Sequence, residues 1–184
     1  MMNYEKLERN IIEVMEEQQL KLGFDGNAVY LFYPLSSLAS LLDVCNEEKT
    51  ILAALKAFCV HVRGRLGDIR CELRDGRVSF EVPAAGCEYV KRHLDENGFI
   101  ARLIGMVAGH HAHLQDVIAL FKEYSANVQV EKMPAGEEFD YLVYFEDGEP
   151  DGFYYCLKEE MGHVTYHRFT REDYCSFGFG GGER

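Results

Sequence analysis

Four short apolar segments near the carboxyl end of the chain constrain its fold more than any other feature. They cover residues 128–133, 139–146, 152–158 and 163–169, and turn-forming residues separate them at 134–136, 147–150 and 161–162. Connections this short exclude parallel neighbours, because a parallel crossover needs a dozen or more residues. The sequence therefore predicts an antiparallel β-meander over residues 127–169.

Helical periodicity dominates the chain before this meander. Apolar residues recur at three- and four-residue spacing in segments that lie within residues 3–22, 36–42, 46–64, 83–96, 100–108 and 114–124. Two alternating segments flank Asp75-Gly76, which is typical of a β-hairpin. Thr170 and Asp173 are placed to cap one further short helix after the meander.

These patterns together predict the α+β class. We expect about six helices packed on a C-terminal antiparallel β-meander, plus a small β-hairpin near residues 69–82. No repeat or long linker divides the chain, so residues 1–184 are expected to form a single α+β domain. It would be mostly helical over 1–126, with the meander over 127–169 and a short helix and loose glycine-rich tail over 170–184.

The charge of the chain limits its partners. The chain has 19 Lys and Arg residues and 31 Asp and Glu residues, which gives a formal net charge of -12. A field of that sign repels phosphate backbones and anionic lipid, so neither nucleic acid nor a membrane is expected as a partner. Residues 127–184 hold 5 Lys and Arg against 13 Asp and Glu, together with 12 of the 23 aromatic residues. A working face is therefore expected on the meander.

The sequence also predicts a cytoplasmic setting. The amino-terminal residues are charged and helical, without the apolar core of a secretion signal. The longest uncharged stretch, residues 27–42, contains Pro34 and three serines and is shorter than a membrane-spanning helix. Six cysteines occur without a CxxC pair, and reduced thiols are the simplest interpretation of that pattern.

A further signal lies in the segments at residues 33–38, 139–147 and 163–170, and residues 17–23 fit as well. These segments resemble an uncharacterised family of small proteins from gut Firmicutes, and the similarity covers most of the chain. The resemblance implies a bacterial, cytoplasmic protein. It transfers no catalytic residue, because the family has no assigned activity or site.

A histidine cluster at His110-His111-Ala112-His113 is the first candidate site. In a helix, His110 and His113 would share a face that Asp116 continues one turn later. Imidazole and carboxylate groups are zinc ligands, so these three residues are a candidate metal site, although zinc usually takes three or four protein ligands. The alternative is a polar connection between two helices.

The strand 163–169 carries the second candidate site. Alternate strand residues point the same way, so His163, Thr165 and His167 share one face. The preceding strand is expected to bring Tyr154 and Cys156 near them. Such a face is a candidate ligand pocket or general base, because imidazole titrates near neutrality. The alternative is the solvent face of an edge strand.

No motif in the sequence is specific enough to predict a reaction. The leading interpretation is a small binding or interaction domain without catalytic activity, which takes a protein or small-molecule ligand and no cofactor. The first alternative is a metal- or His-assisted hydrolase that uses His163 and His167 or the His110–His113 cluster. The second is an acidic immunity- or inhibitor-type protein, whose charge steers it to a basic partner. The sequence assigns no oligomeric state.

Overall fold

The computed structural model describes residues 3–109 and 112–176, and there the chain forms seven helices and seven strands. The helices are α1 (Tyr4–Leu22), α2 (Leu35–Leu42), α3 (Glu48–Leu66), α4 (Ala84–His93), α5 (Phe99–Ala108), α6 (Leu114–Tyr124) and α7 (Arg171–Ser176). The strands are β1 (Val29–Pro34), β2 (Arg70–Arg74), β3 (Arg77–Val82), β4 (Val128–Lys132), β5 (Tyr141–Phe145), β6 (Tyr154–Glu160) and β7 (His163–Phe169). The predicted α+β class is confirmed.

The chain divides between Asp95 and Glu96 into two compact units. The first unit holds α1–α4 and β1–β3, and the second holds α5–α7 and β4–β7. Each unit has its own antiparallel sheet. The single domain over residues 1–184 stays a prediction, and the predicted tail over 177–184 lies outside the described residues.

The predicted hairpin is present as β2 and β3 within a larger sheet. Arg74 lies opposite Arg77 across a two-residue turn, where Asp75 and Gly76 have φ angles of 50° and 75°. A type I′ turn requires positive φ at both central positions, which explains the Asp-Gly pair. β1 pairs with the other side of β3, so the strand order is β1-β3-β2.

The core of the first unit is built from the inward face of this sheet and from α1–α4. Leu7 and Met15 of α1, Phe58 of α3 and Phe80 of β3 are fully buried in it. The rings of Phe58 and Phe80 meet edge to face with their centroids 6.5 Å apart. Full burial of side chains of this size contributes about 1.5–3 kcal/mol each, so the core stabilises the first unit strongly.

The second unit contains the predicted meander, with the strand order β4-β5-β6-β7 and every pair antiparallel. Met161 and Gly162 form the predicted turn between β6 and β7, with φ angles of 54° and 78°. One face of the sheet packs on α5 and α6. There Phe121 lies with its ring centroid 5.2 Å from that of Phe145 and 5.1 Å from that of Tyr155.

The opposite face of the meander is covered near one end by α7. Tyr174 of that helix packs in a cluster with Met133, Phe139, Leu142 and Cys156. The helix begins as predicted, since Thr170 Oγ1 accepts a hydrogen bond of 3.1 Å from the backbone N–H of Asp173. The meander therefore has apolar contacts on both faces.

Among the described residues, no helix combines the length and the apolar character that spanning a membrane requires.

Candidate binding surface

Exposed apolar side chains are concentrated in one stretch of the first unit. Leu22, Phe24, Tyr30 and Phe32 are 79, 40, 57 and 63% exposed. Over the residues that the structure describes, the other large exposed hydrophobic side chains are Val60 and Met161, far apart in sequence. Single exposed hydrophobic residues are ordinary, whereas a contiguous group of them marks an interaction site. We call the group Leu22, Phe24, Tyr30 and Phe32 the aromatic patch.

The local chain path explains why these side chains come together. Helix α1 ends at Leu22, and Gly23 follows with a φ of 83°. Asp25 Oδ1 then accepts a hydrogen bond of 3.0 Å from the backbone N–H of Asn27, which turns the chain into β1. That hydrogen bond lowers the pKa of Asp25, so its carboxylate is ionised at neutral pH. A negative charge therefore lies beside the patch.

A cleft of about 250 Å³ opens among these residues. Leu22, Phe24 and Tyr30 line it together with two buried residues, Gln19 and Cys87. The Gln19 Nε2 donates a hydrogen bond of 2.9 Å to the carbonyl oxygen of Cys87. The Gln19 Oε1 is buried, and no described residue donates a hydrogen bond to it. An unsatisfied buried acceptor is costly, so Gln19, one of the residues that line the cleft, carries a polar atom that lacks a donor.

Strand β1 presents its two faces differently. Leu31 and Tyr33 are buried, whereas Tyr30 and Phe32 point outwards. The Tyr33 hydroxyl donates a buried hydrogen bond of 2.8 Å to Asn10 Oδ1, which ties β1 to α1. β1 pairs with β3 along one side, and no described strand pairs with its other side. Such an edge exposes main-chain groups that another strand can use.

The outward face of this sheet changes from aromatic to charged across the strands. Tyr30 lies opposite Glu81 on β3, and Phe32 lies opposite Ser79. Glu81 in turn faces Arg70 of β2, with 3.7 Å between Arg70 Nη1 and Glu81 Oε2. The exposed aromatic rings of the sheet therefore lie along its β1 edge.

The five residues of the predicted strand-face site share one side of the meander. In the register of β6 and β7, Cys156 lies opposite His167 and Tyr154 lies opposite Phe169. Thr165 and His163 lie opposite Lys158 and Glu160. His163, Thr165 and His167 are exposed, as a solvent face would be.

Packing limits the chemistry of this strand face. Cys156 is fully buried, and burial raises the pKa of its thiol to about 11. A thiol with that pKa is protonated at neutral pH, and the thiolate is the nucleophile. The Tyr154 ring stacks on that of Tyr144, with centroids 4.3 Å apart. His167 has its ring centroid 5.2 Å from that of Phe139. The ligand-binding assignment stays a prediction.

Two residues of the predicted metal site cap helix α6. Asp116 Oδ2 accepts a hydrogen bond of 3.0 Å from the backbone N–H of His113, and the His113 Nδ1 lies 3.3 Å from Glu159 Oε1. His110, the third predicted ligand, lies outside the described residues. Within 3–109 and 112–176, no three His, Cys, Asp or Glu side chains are grouped to hold a metal ion. The metal site stays a prediction.

The aromatic patch is not predicted by any pattern in the sequence. The run Val29-Tyr30-Leu31-Phe32-Tyr33 predicts a strand, but every residue in it is apolar or aromatic. A strand reveals its exposed face by alternating polar and apolar residues, and that signal is missing here. The uniform run was nevertheless a sign, since it indicates a strand with apolar groups on both faces.

A family model described as "Domain of unknown function, E. rectale Gene description (DUF3877)" matches residues 4–177. No curated protein and no solved structure matches the chain.

Proposed function

We propose a protein-binding function for this chain, which belongs to the DUF3877 family of domains of unknown function. The resemblance to an uncharacterised family of gut Firmicutes is thereby confirmed. The family description names no activity, so the proposal depends on the geometry of the first unit.

The aromatic patch is the observation that carries the proposal. Exposure of large apolar side chains to water is unfavourable. A partner that buries them gains about 25 cal/mol for each Å² of apolar surface removed from water. Tyr and Phe supply much contact area with few rotatable bonds, and aromatic residues are enriched at the centres of interfaces. The cleft between Leu22 and Tyr30 adds a recess for one partner side chain.

We assign the surface to an extended apolar segment of a partner protein, flanked by Lys or Arg. The free side of β1 offers main-chain hydrogen bonds to such a segment, as in recognition by strand addition. The cleft would take one of its side chains. The Asp25 carboxylate and the net charge of -12 favour basic flanks and steer them towards this chain.

The bacterial cytoplasm is the setting proposed for this interaction. All six cysteines are free thiols, as in a reducing compartment. The family description, which refers to a gene of E. rectale, supports a bacterial source.

The experiment is a selection of phage-displayed random peptides against the full chain, with dissociation constants measured by fluorescence anisotropy. Selected peptides should carry alternating apolar residues beside Lys or Arg. Tyr30→Ser and Phe32→Ser should each weaken binding by about tenfold or more. Val60→Ser and Met161→Ser are the controls, because they remove exposed hydrophobic side chains outside the patch, and they should leave binding unchanged.

Hydrogen exchange of the same complex tests the mode of binding. The amide groups of β1 should become protected when the peptide binds, because a new strand pairs with them. Failure to enrich any peptide, or equal affinity for the wild-type chain and Phe32→Ser, would refute the proposal. Binding that depends on Phe32 without protection of β1 would contradict strand addition.

The strand face of the meander is a second candidate, favoured by the register that sets His167 opposite Cys156 and Tyr154 on the same side. Its function would be that of a His-assisted hydrolase using His163 and His167. Hydrolysis of p-nitrophenyl esters by the wild-type chain, lost in the double variant His163→Ala/His167→Ala, would support it. Turnover that the double variant retains would exclude these residues.

A further inference from the structure

Two cysteines of the first unit lie in direct contact. The Sγ atoms of Cys59, in α3, and Cys71, in β2, are 3.3 Å apart. Both side chains are half-buried at the margin of the first core, so small solutes can reach them. A disulfide has an S–S length of about 2.05 Å, so the two sulfur atoms need to approach by about 1.2 Å to form the bond.

Regular secondary structure holds this contact in place. Cys71 and Leu73 occupy the inward positions of β2, while their neighbours point to solvent. Cys59 belongs to the 19-residue helix α3, which returns to the sheet through a short connection at Gly67. There Gly67 has a φ of 75°, and its backbone N–H donates to the carbonyl oxygen of Arg63 at 3.1 Å. The packing of helix on strand, rather than a loop, therefore sets the distance between the sulfur atoms.

We propose that Cys59 and Cys71 form a reversible oxidation site, at which a peroxide closes a disulfide between α3 and β2. This site is independent of the proposed binding function, since neither cysteine belongs to the aromatic patch. It makes the first unit sensitive to hydrogen peroxide or an organic hydroperoxide.

The two sulfur atoms have different roles. The hydrogen bond between the two sulfur atoms lowers the pKa of Cys59 and raises the pKa of Cys71. Cys59 is therefore the nucleophile, because the thiolate and not the thiol attacks peroxide. Cys71 is the resolving residue, because its sulfur lies in contact with the sulfur that is oxidised and can form the disulfide with it.

The reaction balances in two steps. The Cys59 thiolate attacks one peroxide oxygen, an S–O bond forms, the O–O bond breaks, and the leaving hydroxide takes a proton to become water. The Cys71 sulfur then attacks the sulfenic sulfur, the S–S bond forms, and the S–O bond breaks. The hydroxide that leaves takes the Cys71 proton and becomes the second water. The sulfur atoms lose two electrons and the peroxide gains them, and an added dithiol restores the reduced pair.

The test is peptide mapping of the full chain after treatment with hydrogen peroxide, without reduction. Trypsin cuts after Lys56, Arg63, Arg70 and Arg74, so the disulfide joins the peptides 57–63 and 71–74. We expect this linked pair as the main product, with the loss of two hydrogens in the intact mass. Oxidation should raise the Tm by roughly 10 °C, since the bond closes a short loop, and dithiothreitol should reverse the rise.

Variants separate the two roles. In Cys71→Ser, Cys59 should accumulate as a sulfenic acid that dimedone traps, whereas in Cys59→Ser no dimedone adduct should form at Cys71. The double variant Cys45→Ser/Cys175→Ser is the matched control, because it removes the exposed cysteines and should still form the linked pair.

Several results would overturn the proposal. One is the absence of the linked peptides at a peroxide concentration that oxidises Cys45 and Cys175. Another is linkage of Cys59 or Cys71 chiefly to other cysteines. A fall in Tm on oxidation would show that the native contact does not accommodate the bond. The mapping uses the wild-type chain, so it decides the matter even where a variant folds poorly.

Discussion

Arg168 and Asp151 form a buried ion pair in the second unit, with 3.3 Å between Arg168 Nη1 and Asp151 Oδ2 and side chains only 4 and 8% exposed. The Tyr155 hydroxyl donates to the same carboxylate oxygen at 2.7 Å. The guanidinium carbon of Arg168 lies 4.0 Å from the ring centroid of Phe153, a cation–π contact. Asp151 thus joins the loop before β6 to both β6 and β7.

We expect Asp151→Ala to lower the free energy of unfolding by about 3–5 kcal/mol, because it removes the carboxylate from a buried guanidinium. Urea unfolding followed by circular dichroism measures the change. Glu72→Ala is the control, since Glu72 pairs with Arg74 at the surface and its loss should have little effect. A loss below about 1 kcal/mol for Asp151→Ala would contradict a buried pair.

Alkaline pH should destabilise the second unit. Burial, followed by the hydrogen bond to Glu131, raises the pKa of Tyr144 to about 12, and burial raises that of Tyr174 to about 12. An unfolded tyrosine has a pKa of about 10. Above that pH the unfolded state loses protons that the folded state keeps, so the free energy of unfolding falls until about pH 12.

The Tm measured at intervals between about pH 8 and pH 11 should therefore be constant at first and then fall above about pH 10. The variant Tyr144→Phe/Tyr174→Phe should show a shallower fall, because it removes two of the groups responsible. Equal slopes for the wild-type chain and this variant would argue against the proposed cause.

Glycine substitutions in two helices should have opposite effects. A Cβ added to Gly86 in α4 would clash with the carbonyl oxygen of Leu66 and would lie 2.7 Å from Val82 Cγ1. Gly86→Ala should thus cost about 1–3 kcal/mol of stability. Gly64 in α3 has open space around it, so Gly64→Ala should stabilise by about 0.5–1 kcal/mol. Chemical denaturation measures the free energy of unfolding of both variants, which should fall for Gly86→Ala and rise for Gly64→Ala. An unchanged free energy of unfolding in Gly86→Ala would refute the close packing.

Thiol alkylation should follow burial. Cys45 and Cys175 are exposed and should react with iodoacetamide first, whereas Cys87 and Cys156 are buried and should react only when the chain unfolds. Burial raises the pKa of both buried thiols, which also lowers the fraction of reactive thiolate. Mass spectrometry of timed samples gives the order. Rapid labelling of native Cys156 would show that the strand face is open, and would favour the second candidate function.

Local patterns predicted most of the elements. The Asp75-Gly76 pair marked the hairpin because only a few residues adopt positive φ at both turn positions. Thr170 marked the start of α7 through a hydrogen bond within one turn. Both interactions join residues that are close in sequence, so they can be predicted without knowledge of the fold.

The candidate binding site was not predictable in the same way. The sequence favoured the acidic, aromatic meander as the location of the site. There His163, Thr165 and His167 lie on the same side of the sheet as Cys156 and Tyr154. The uniform run over residues 29–33 indicated apolar groups on both faces of β1, but it did not indicate that Tyr30 and Phe32 are the exposed ones, because the run has no polar alternation. Whether a helix, a strand or solvent covers each face depends on distant segments.

The sequence by itself determined the α+β class, the meander and the hairpin, because side-chain periodicity and turn chemistry are local properties of the chain. Only the tertiary structure decided that β1 joins the hairpin as an edge strand, that Cys59 meets Cys71, and that Arg168 meets Asp151. Each of these contacts depends on how whole helices and strands pack, since one rotation or register shift of an element moves all of its side chains together. The candidate functions of this protein depend on such contacts.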